Sequence, residues 1–325
     1  MAIHDAAYHI GLESTWDTAV VATRSYEVET LKPDVETQML KRSGMRKAAQ
    51  AARHAKTLVV GNAHTISMDM QNVGMGLLLQ GLVGASTGPT QVAATAAYTQ
   101  LHEWTSAGPT KSFTAQQAIQ YPLTGGSVFT HSGCVSSAWR LTQSADALLR
   151  LEVDMIGATS TTVTSEATAA YAAAPGCFSW ADAVVTIDSS TFSDVRDFDF
   201  SVDTAVKSDR YRLRGSALRE QPVHTGYPTV TGTVNADFTA ATFYDDFVAG
   251  NSIPFGIKWT DPNANAIEAG ETFEFELLCG AIVFTGEAPT QGGDDLATQA
   301  LPFEVVEPAS GALFTINLKS TDTAL

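Results

Sequence analysis

The chain has 325 residues, with 19 Lys and Arg against 35 Asp and Glu, a formal charge of −16. That length suggests two domains of ordinary size, each able to bury a core without disulfide staples. With 44% hydrophobic and 17% charged residues the composition is globular, and the acid excess argues against general binding to nucleic acid or anionic membranes.

The N-terminal residues show neither a basic stretch nor an apolar core, so no secretory signal is expected. Alternation of apolar and polar residues, bounded by Gly, Pro, Asn or Asp, predicts half-buried strands. In chain order these are Ser25–Thr30, His64–Met70, Val135–Leu141, Leu149–Ile156, Val195–Val202, Thr229–Phe238, Phe273–Leu278, Ala281–Thr285 and Leu301–Val306. In them Glu27, Asp69, Glu152, Asp154, Asp197, Asp199 and Asp237 alternate onto the face away from the core. Helices are predicted only over Asn72–Val83 and Ala241–Ala249, each followed by a glycine suited to ending it. The apolar run Val73–Ala85 is too short to cross a bilayer. The expected fold class is all-β, with one short helix in each half.

The order of features repeats. An acidic alternating strand, a basic loop, a second strand and a helix occur over Arg24–Gly84 and again over Arg196–Gly250. The stretch around Cys134 then has its counterpart around Cys279, and LLRLEVDMIGA has its counterpart in TQALPFEVVEP. Between the halves Thr159–Gly176 is small-residue and nearly chargeless, and reads as a linker. The expected organisation is therefore two copies of one β-module, residues 1–157 and 178–325, joined by residues 158–177.

Charge follows the same repeat. Six of the 19 bases are Lys41, Arg42, Arg46, Lys47, Arg53 and Lys56, and five more are Lys207, Arg210, Arg212, Arg214 and Arg219. Both clusters occupy the same slot in their module, whereas Glu220–Leu325 holds 15 acids and only Lys258 and Lys319 as bases. Two basic prongs on an acidic body suit contact with another copy of the chain.

Catalytic and metal-binding patterns are not expected. The seven histidines are scattered, without HExxH spacing, and Cys134, Cys177 and Cys279 are far apart, without CxxC. A reducing compartment is the default for such cysteines. No phosphate loop or GxSxG nucleophile motif occurs, and no cofactor is implied. The acidic pairs Asp245–Asp246 and Asp294–Asp295 read as solvated carboxylates.

The opening IGLESTWDTAVVATRSYEVETLKPDVET, with TISMDMQNVGMGLLLQGLVG, FTHSGCVSSAWRL, DRYRLRGSALREQPVHTGYPTVTGTVNADF and FTGEAPTQGGDDLATQALPFEV, resembles the tail tube proteins of long-tailed, non-contractile bacteriophages, particularly those of actinobacterial hosts. The resemblance covers nearly the whole chain; the loop Ala48–Ala55 departs from it. It implies tandem β-sandwich modules whose inner sheets join into a ring-shaped β-barrel, rings that stack into a tube, and ejection of DNA through the bore. The basic loops are in the place of arms that reach the neighbouring ring. The implied partners are other copies of the chain, a tape measure protein in the lumen, tail terminator and distal tail proteins, and transiently passing duplex DNA, with no membrane. The protein would be assembled in the host cytoplasm and reside in the virion tail.

With strands about 4.8 Å apart and tilted about 40°, a barrel of roughly 24 strands leaves about 38 Å after side chains, and one of roughly 12 leaves about 14 Å. A duplex about 20 Å wide needs the larger one. Four inward strands per module and two modules per chain then give a trimer with pseudo-sixfold symmetry; a single bore-facing module would instead require a hexamer. Asp69, Glu152, Asp154, Asp199 and Asp237 are expected to line the channel, since an acidic wall lets DNA pass where a basic one would hold it. Arg42, Arg46, Arg210 and Arg214 are expected to pair with carboxylates of the next ring. The alternatives are a distal tail or baseplate hub component built from the same modules, or a carbohydrate-binding β-sandwich.

Overall fold

The computed structural model describes residues 6–44, 47, 51–105, 108–121, 125–162, 165–173, 175–239, 241–261, 267–268, 270–286, 288–291 and 297–325. In the first half the strands are β1 (Ala7–Glu13), β2 (Arg24–Tyr26), β3 (Asp34–Arg42), β4 (Arg53–Asp69), β5 (Ala85–Gln91), β6 (Tyr98–Glu103), β7 (Ser112–Tyr121), β8 (Gly125–Ser144), β9 (Arg150–Gly157) and β10 (Thr159–Thr161), with the helix α1 (Gly76–Val83). The second half contains β11 (Ala183–Ile187), β12 (Ser190–Phe192), β13 (Val195–Asp203), β14 (Val206–Lys207), β15 (Val223–His224), β16 (Thr229–Asp237), β17 (Ser252–Asp261), β18 (Phe273–Phe284), β19 (Thr298–Val305) and β20 (Phe314–Ser320), with the helix α2 (Thr242–Ala249).

Every ladder is antiparallel, and the ladders of the two halves follow one scheme. In the first, β1 pairs with β2 and β7, β7 with β8, β8 with β9 and β10, β9 with β4, and β4 with β3. In the second, β11 pairs with β12 and β17, β17 with β18, β18 with β19 and β20, β19 with β16, and β16 with β13. Two further ladders cross between the halves, β8 to β13 and β6 to β20. The result is an uninterrupted run β3–β4–β9–β8–β13–β16–β19. The strand that makes this possible is β8, which is 20 residues long. Its first part lies against β7, and its last part, beyond Gly133 at φ 68°, lies between β9 and β13.

One face of this run is apolar and buried: Ile66 and Met68, Leu151 and Val153, Trp139 and Leu141, Phe198, Phe200 and Val202, Val230 and Val234, Leu301 and Phe303. The core it builds is continuous across the two halves. Trp139 of the first half packs on Phe200 and Phe314 of the second, and Trp104 stacks on Phe314. The indole of Trp259 donates to the Gln143 side chain at 2.6 Å. α1 is almost wholly buried, and Gly81 brings its backbone onto the ring of Phe113, where a Cβ would not fit. α2, by contrast, has no fully buried residue.

The N-terminal motif is a structural lock. Glu13 is 2% exposed and accepts hydrogen bonds from Ser112 Oγ at 2.6 Å, Thr114 Oγ1 at 2.8 Å, the Gly133 amide at 2.9 Å and the Asp17 amide at 3.0 Å. Asp17 in turn accepts from Ser132 and Thr159, and the Trp16 indole donates to the Gly133 carbonyl. A buried carboxylate is tolerated because its lone pairs are met.

The sequence-based expectations need several corrections. The strand expected over Ser25–Thr30 is regular only to Tyr26; beyond it Val28 and Leu31 turn partly into the core, and the Glu29 amide bonds Ser67. The first helix starts at Gly76 rather than Asn72, because Asn72 and Gly176 exchange hydrogen bonds and the Gly74 amide, at φ 79°, donates to Asp322. The stretch Thr159–Gly176 does not hang free. Its start forms β10 against β8, Ala170 exchanges bonds with Ser25, and the Ala167 amide donates to Gln116. The strands β1, β3, β5, β6, β7, β10, β11, β12, β14, β15, β17 and β20 are not among those expected, and the two expected over Phe273–Leu278 and Ala281–Thr285 form one, β18; β1 is buried on both faces and β3 is exposed on nearly all of its length, so neither alternates.

Buried histidines make the body acid-sensitive. His64 stacks on His131 with ring centroids 5.3 Å apart, and its Nε2 is 3.1 Å from Tyr8 Oη. Burial, followed by the neighbouring His131, pushes the His64 pKa down to about 3; burial brings His102 and His131 to about 4. All three are neutral in the native state at pH 7. An unfolded chain takes up their protons near pH 6.5, whereas the native state does so only near pH 4 and below. Stability is therefore full above about pH 6.5 and falls as the pH drops toward 4, with a limiting slope of about 1.4 kcal/mol per unit for each histidine. Urea unfolding between pH 7.5 and 4.5 should show this slope, and the H64Q/H131Q variant should flatten it.

Candidate assembly surfaces

The other face of the seven-strand run is polar, and the ladders fix its rows. One row crosses the sheet as Asp69, Arg150, Thr142, Asp199, Thr233 and Pro302. The next is Ser67, Glu152, Arg140, Ser201, Thr231 and Glu304, and the third is Thr65, Asp154, Ala138, Asp203 and Thr229. Asp237 lies on the same face opposite Thr298. All five acids singled out from the sequence are thus brought together on one surface, although they come from four strands spread over most of the chain.

That surface also carries arginines that the sequence reading passed over. Arg140 pairs with Asp199, Arg150 with Glu29, and Arg196 with Asp237. The parity needed to find Arg140 and Arg150 was available, since each alternates with buried neighbours as the acids do. Nine carboxylates (Asp69, Glu152, Asp154, Asp197, Asp199, Asp203, Asp237, Glu304 and Glu29, which reaches the same face to pair with Arg150) against three guanidiniums leave a net of six negative charges. Where the halves meet, the face is hollowed into an open depression of about 800 Å³, lined by Asp69, Arg140, Arg150, Asp197, Asp199 and Asn235 among others.

The basic clusters form two projections at one end of this sheet. The first is the β3–β4 hairpin, which is exposed over nearly all of Thr37–Thr57 that is described and carries Lys41, Arg42, Lys47, Arg53 and Lys56. Arg46 lies outside the described residues. Arg42 stands directly opposite Arg53, a like-charge pair that weakens an isolated hairpin. Met39 at 57% and Val59 at 45% exposure add apolar surface. An exposed edge hairpin of this kind leaves unpaired backbone groups and apolar surface open to contact.

The second projection leaves through β14 and returns through β15. Lys207 pairs with Asp209, Arg210 donates to the Gln221 carbonyl, Arg212 is exposed, and Arg214 pairs with Glu220. Tyr211 and Leu213 stand out between them, Leu213 fully exposed. Arg219 departs from the expectation of an outward basic contact. It is 2% exposed, lies over Gly61 where a Cβ would strike its guanidinium, and pairs with Glu36 of β3, while its amide donates to the Val60 carbonyl. Burial pulls its pKa down from the usual guanidinium range. It ties the second projection to the base of the first. Lys258 and Lys319, the two bases of the acidic C-terminal stretch, are also engaged within the chain, both with Glu274.

Among the described residues no group of three or more His, Cys, Asp or Glu side chains is placed to hold a metal ion, and no helix is long and apolar enough to cross a membrane. The buried histidines are core residues, although both ring nitrogens of His131 lack a protein partner.

A two-faced antiparallel sheet with projecting basic and apolar arms defines a class of protein: an all-β subunit with surfaces for contact with other copies of itself. The chain belongs to the phage tail tube protein family, whose model it matches over residues 4–305. Its role is structural: it self-assembles into the tail tube and is a component of the virion tail. No curated protein matches the chain.

The Arg219–Glu36 pair gives a test of how the arms are held. Removing Glu36 strands a nearly buried charge, which costs about 3 kcal/mol or more; removing Arg219 leaves a carboxylate that water can reach. In urea unfolding at pH 7, E36A should therefore be more destabilising than R219M. Equal losses would contradict the pairing.

Proposed function

We propose that three copies of this chain form a ring of pseudo-sixfold symmetry whose polar sheet faces line an acidic conduit for duplex DNA. The observation that carries this reading is the seven-strand run with all five expected acids on one face. Three such runs give a barrel of roughly 21 strands, about 42 Å across its backbone and about 32 Å inside its side chains. That admits a duplex about 20 Å wide. Six copies would give a backbone diameter of about 84 Å, so a hexamer is the weaker assembly. The repeated pairing scheme supports a chain of two modules, residues 1–157 and 178–325, with residues 158–177 strapped along the first.

The wall repels rather than holds phosphates. Its arginines are neutralised within the chain by Asp199, Glu29 and Asp237, and six negative charges remain. No condensed counterions are displaced by free cations as DNA passes, so no strong binding accumulates along the tube. In this reading the role is purely structural, with assembly in the host cytoplasm. The tape measure protein occupies the lumen before DNA does, and terminator and distal tail proteins cap the ends.

Replacing Asp69, Glu152, Asp154, Asp199 and Asp237 with Lys should leave tubes that retain DNA and deliver it poorly, measured as genome ejection from assembled virions. Normal delivery by such tubes would remove the lining assignment. Reversing Arg42, Arg46, Arg210 and Arg214 to Glu should leave soluble rings that do not stack, and for the wild type raised salt should slow polymerisation. Light scattering with size-exclusion chromatography reads both effects, and unchanged polymerisation of the reversed variant would defeat the arm assignment.

A further inference from the structure

The two ends of the seven-strand sheet differ in kind. At one end are both arms, because β3 and β13 run out toward them and β4 and β16 return from them. At the other end lie Asp69, the β8–β9 turn, and the start of β13. β4 alone, at 17 residues, places its arm tip about 55 Å from Asp69.

The end away from the arms has its own exposed apolar patch. Leu148, in the β8–β9 turn, is 42% exposed, and Trp180, in the adjacent 3-10 turn, is 49% exposed. They are held side by side by a bridge between Leu148 and Ser179 and by the Trp180 amide donating to the Ala147 carbonyl at 3.2 Å. On the rim Asp146 is exposed in the same turn with φ 68° and Asp194 lies just before β13, while the nearby Arg150 and Arg196 are paired with Glu29 and Asp237. The arm end offers the complement, with Tyr211 and Leu213 exposed between Arg210, Arg212 and Arg214.

We infer that the Leu148–Trp180 patch is the acceptor on which the second arm of the next ring seats, Tyr211 and Leu213 against Leu148 and Trp180, with Asp146 facing the arm's arginines. This rests on the tube reading above and adds the partner surface to it. Each end has an apolar centre with a charged rim, the anatomy of a protein interface, and tryptophan and tyrosine are favoured as its anchors. The rims match only head to tail; arm against arm would set bases against bases. A contact between two different patches does not close on itself and builds an open filament of one polarity.

The test uses two variants of the full chain, L148S/W180S for the acceptor and Y211S/L213S for the arm. Each should form rings of wild-type size with a wild-type near-ultraviolet spectrum. Each alone should raise the critical concentration for tube growth by about 30-fold or more, the loss of one hot-spot contact. Mixed in equal amounts, they should form pairs of rings that grow no further, because each pair retains a single intact joint. Wild-type growth by the acceptor variant, long tubes from the mixture, or no ring pairs in it would each overturn the assignment. If the serine pair disturbs the fold, D146K serves instead and should slow growth and weaken its dependence on salt; unchanged growth and salt dependence would overturn the patch. Failure of the wild-type chain to form tubes at all would overturn the underlying reading, a result distinct from these.

Discussion

The structure depends on one ladder of backbone hydrogen bonds, that between β8 and β13. Buried N–H and C=O groups must be paired, and a sheet edge left open is a site for unintended association. Here the edge of the first half is closed by the first long strand of the second, from Ala138 opposite Asp203 to Ser144 opposite Asp197. Because side chains alternate along every strand, this single register sets the apolar faces of both halves onto one core and aligns their polar faces into one surface. A slip of one residue would carry Phe198, Phe200 and Val202 to the polar side.

The same construction explains where the chain still offers contacts. Strands in the middle of the run have both edges filled, whereas β3 pairs on one edge only, with β4, among the described residues. Its arm is exposed on both faces and crowded with like charge, which disfavours it as an isolated hairpin and suits it to a partner. The second arm is braced at its base by Arg219, so its outer residues are presented by an ordered root. An ordered root lowers the entropy that a contact made by the tip would cost.

Legibility from the sequence followed the physics of each element. Strands with one wet and one dry face were visible, as at Leu149–Ile156 and Val195–Val202, and so was the outward parity of Asp69, Glu152, Asp154, Asp199 and Asp237. Strands without that contrast were not: β1 is dry on both sides, and β3 is wet on both. The small-residue stretch before the second half reads as a linker because it lacks charge and periodicity. It is strapped to the body because the amides of Ala167, Ala170 and Gly176 donate to the side chains of Gln116, Ser25 and Asn72, and the backbone amides of a segment leave no signature in its composition.

By itself the sequence determined the class of fold, the repeated order of features, the two basic prongs and the acidic faces, because each of these is set by the chemistry and spacing of neighbouring residues. Only the tertiary structure decided that the halves share a sheet and a core, that Arg140 and Arg150 are paired with Asp199 and Glu29, and that Arg219 turns inward to Glu36. These are outcomes of pairing between distant segments, 183 residues apart for Glu36 and Arg219 and farther still for β6 and β20. Which distant strand fills an open edge is decided by register and packing, and neither is written in any local stretch of the chain.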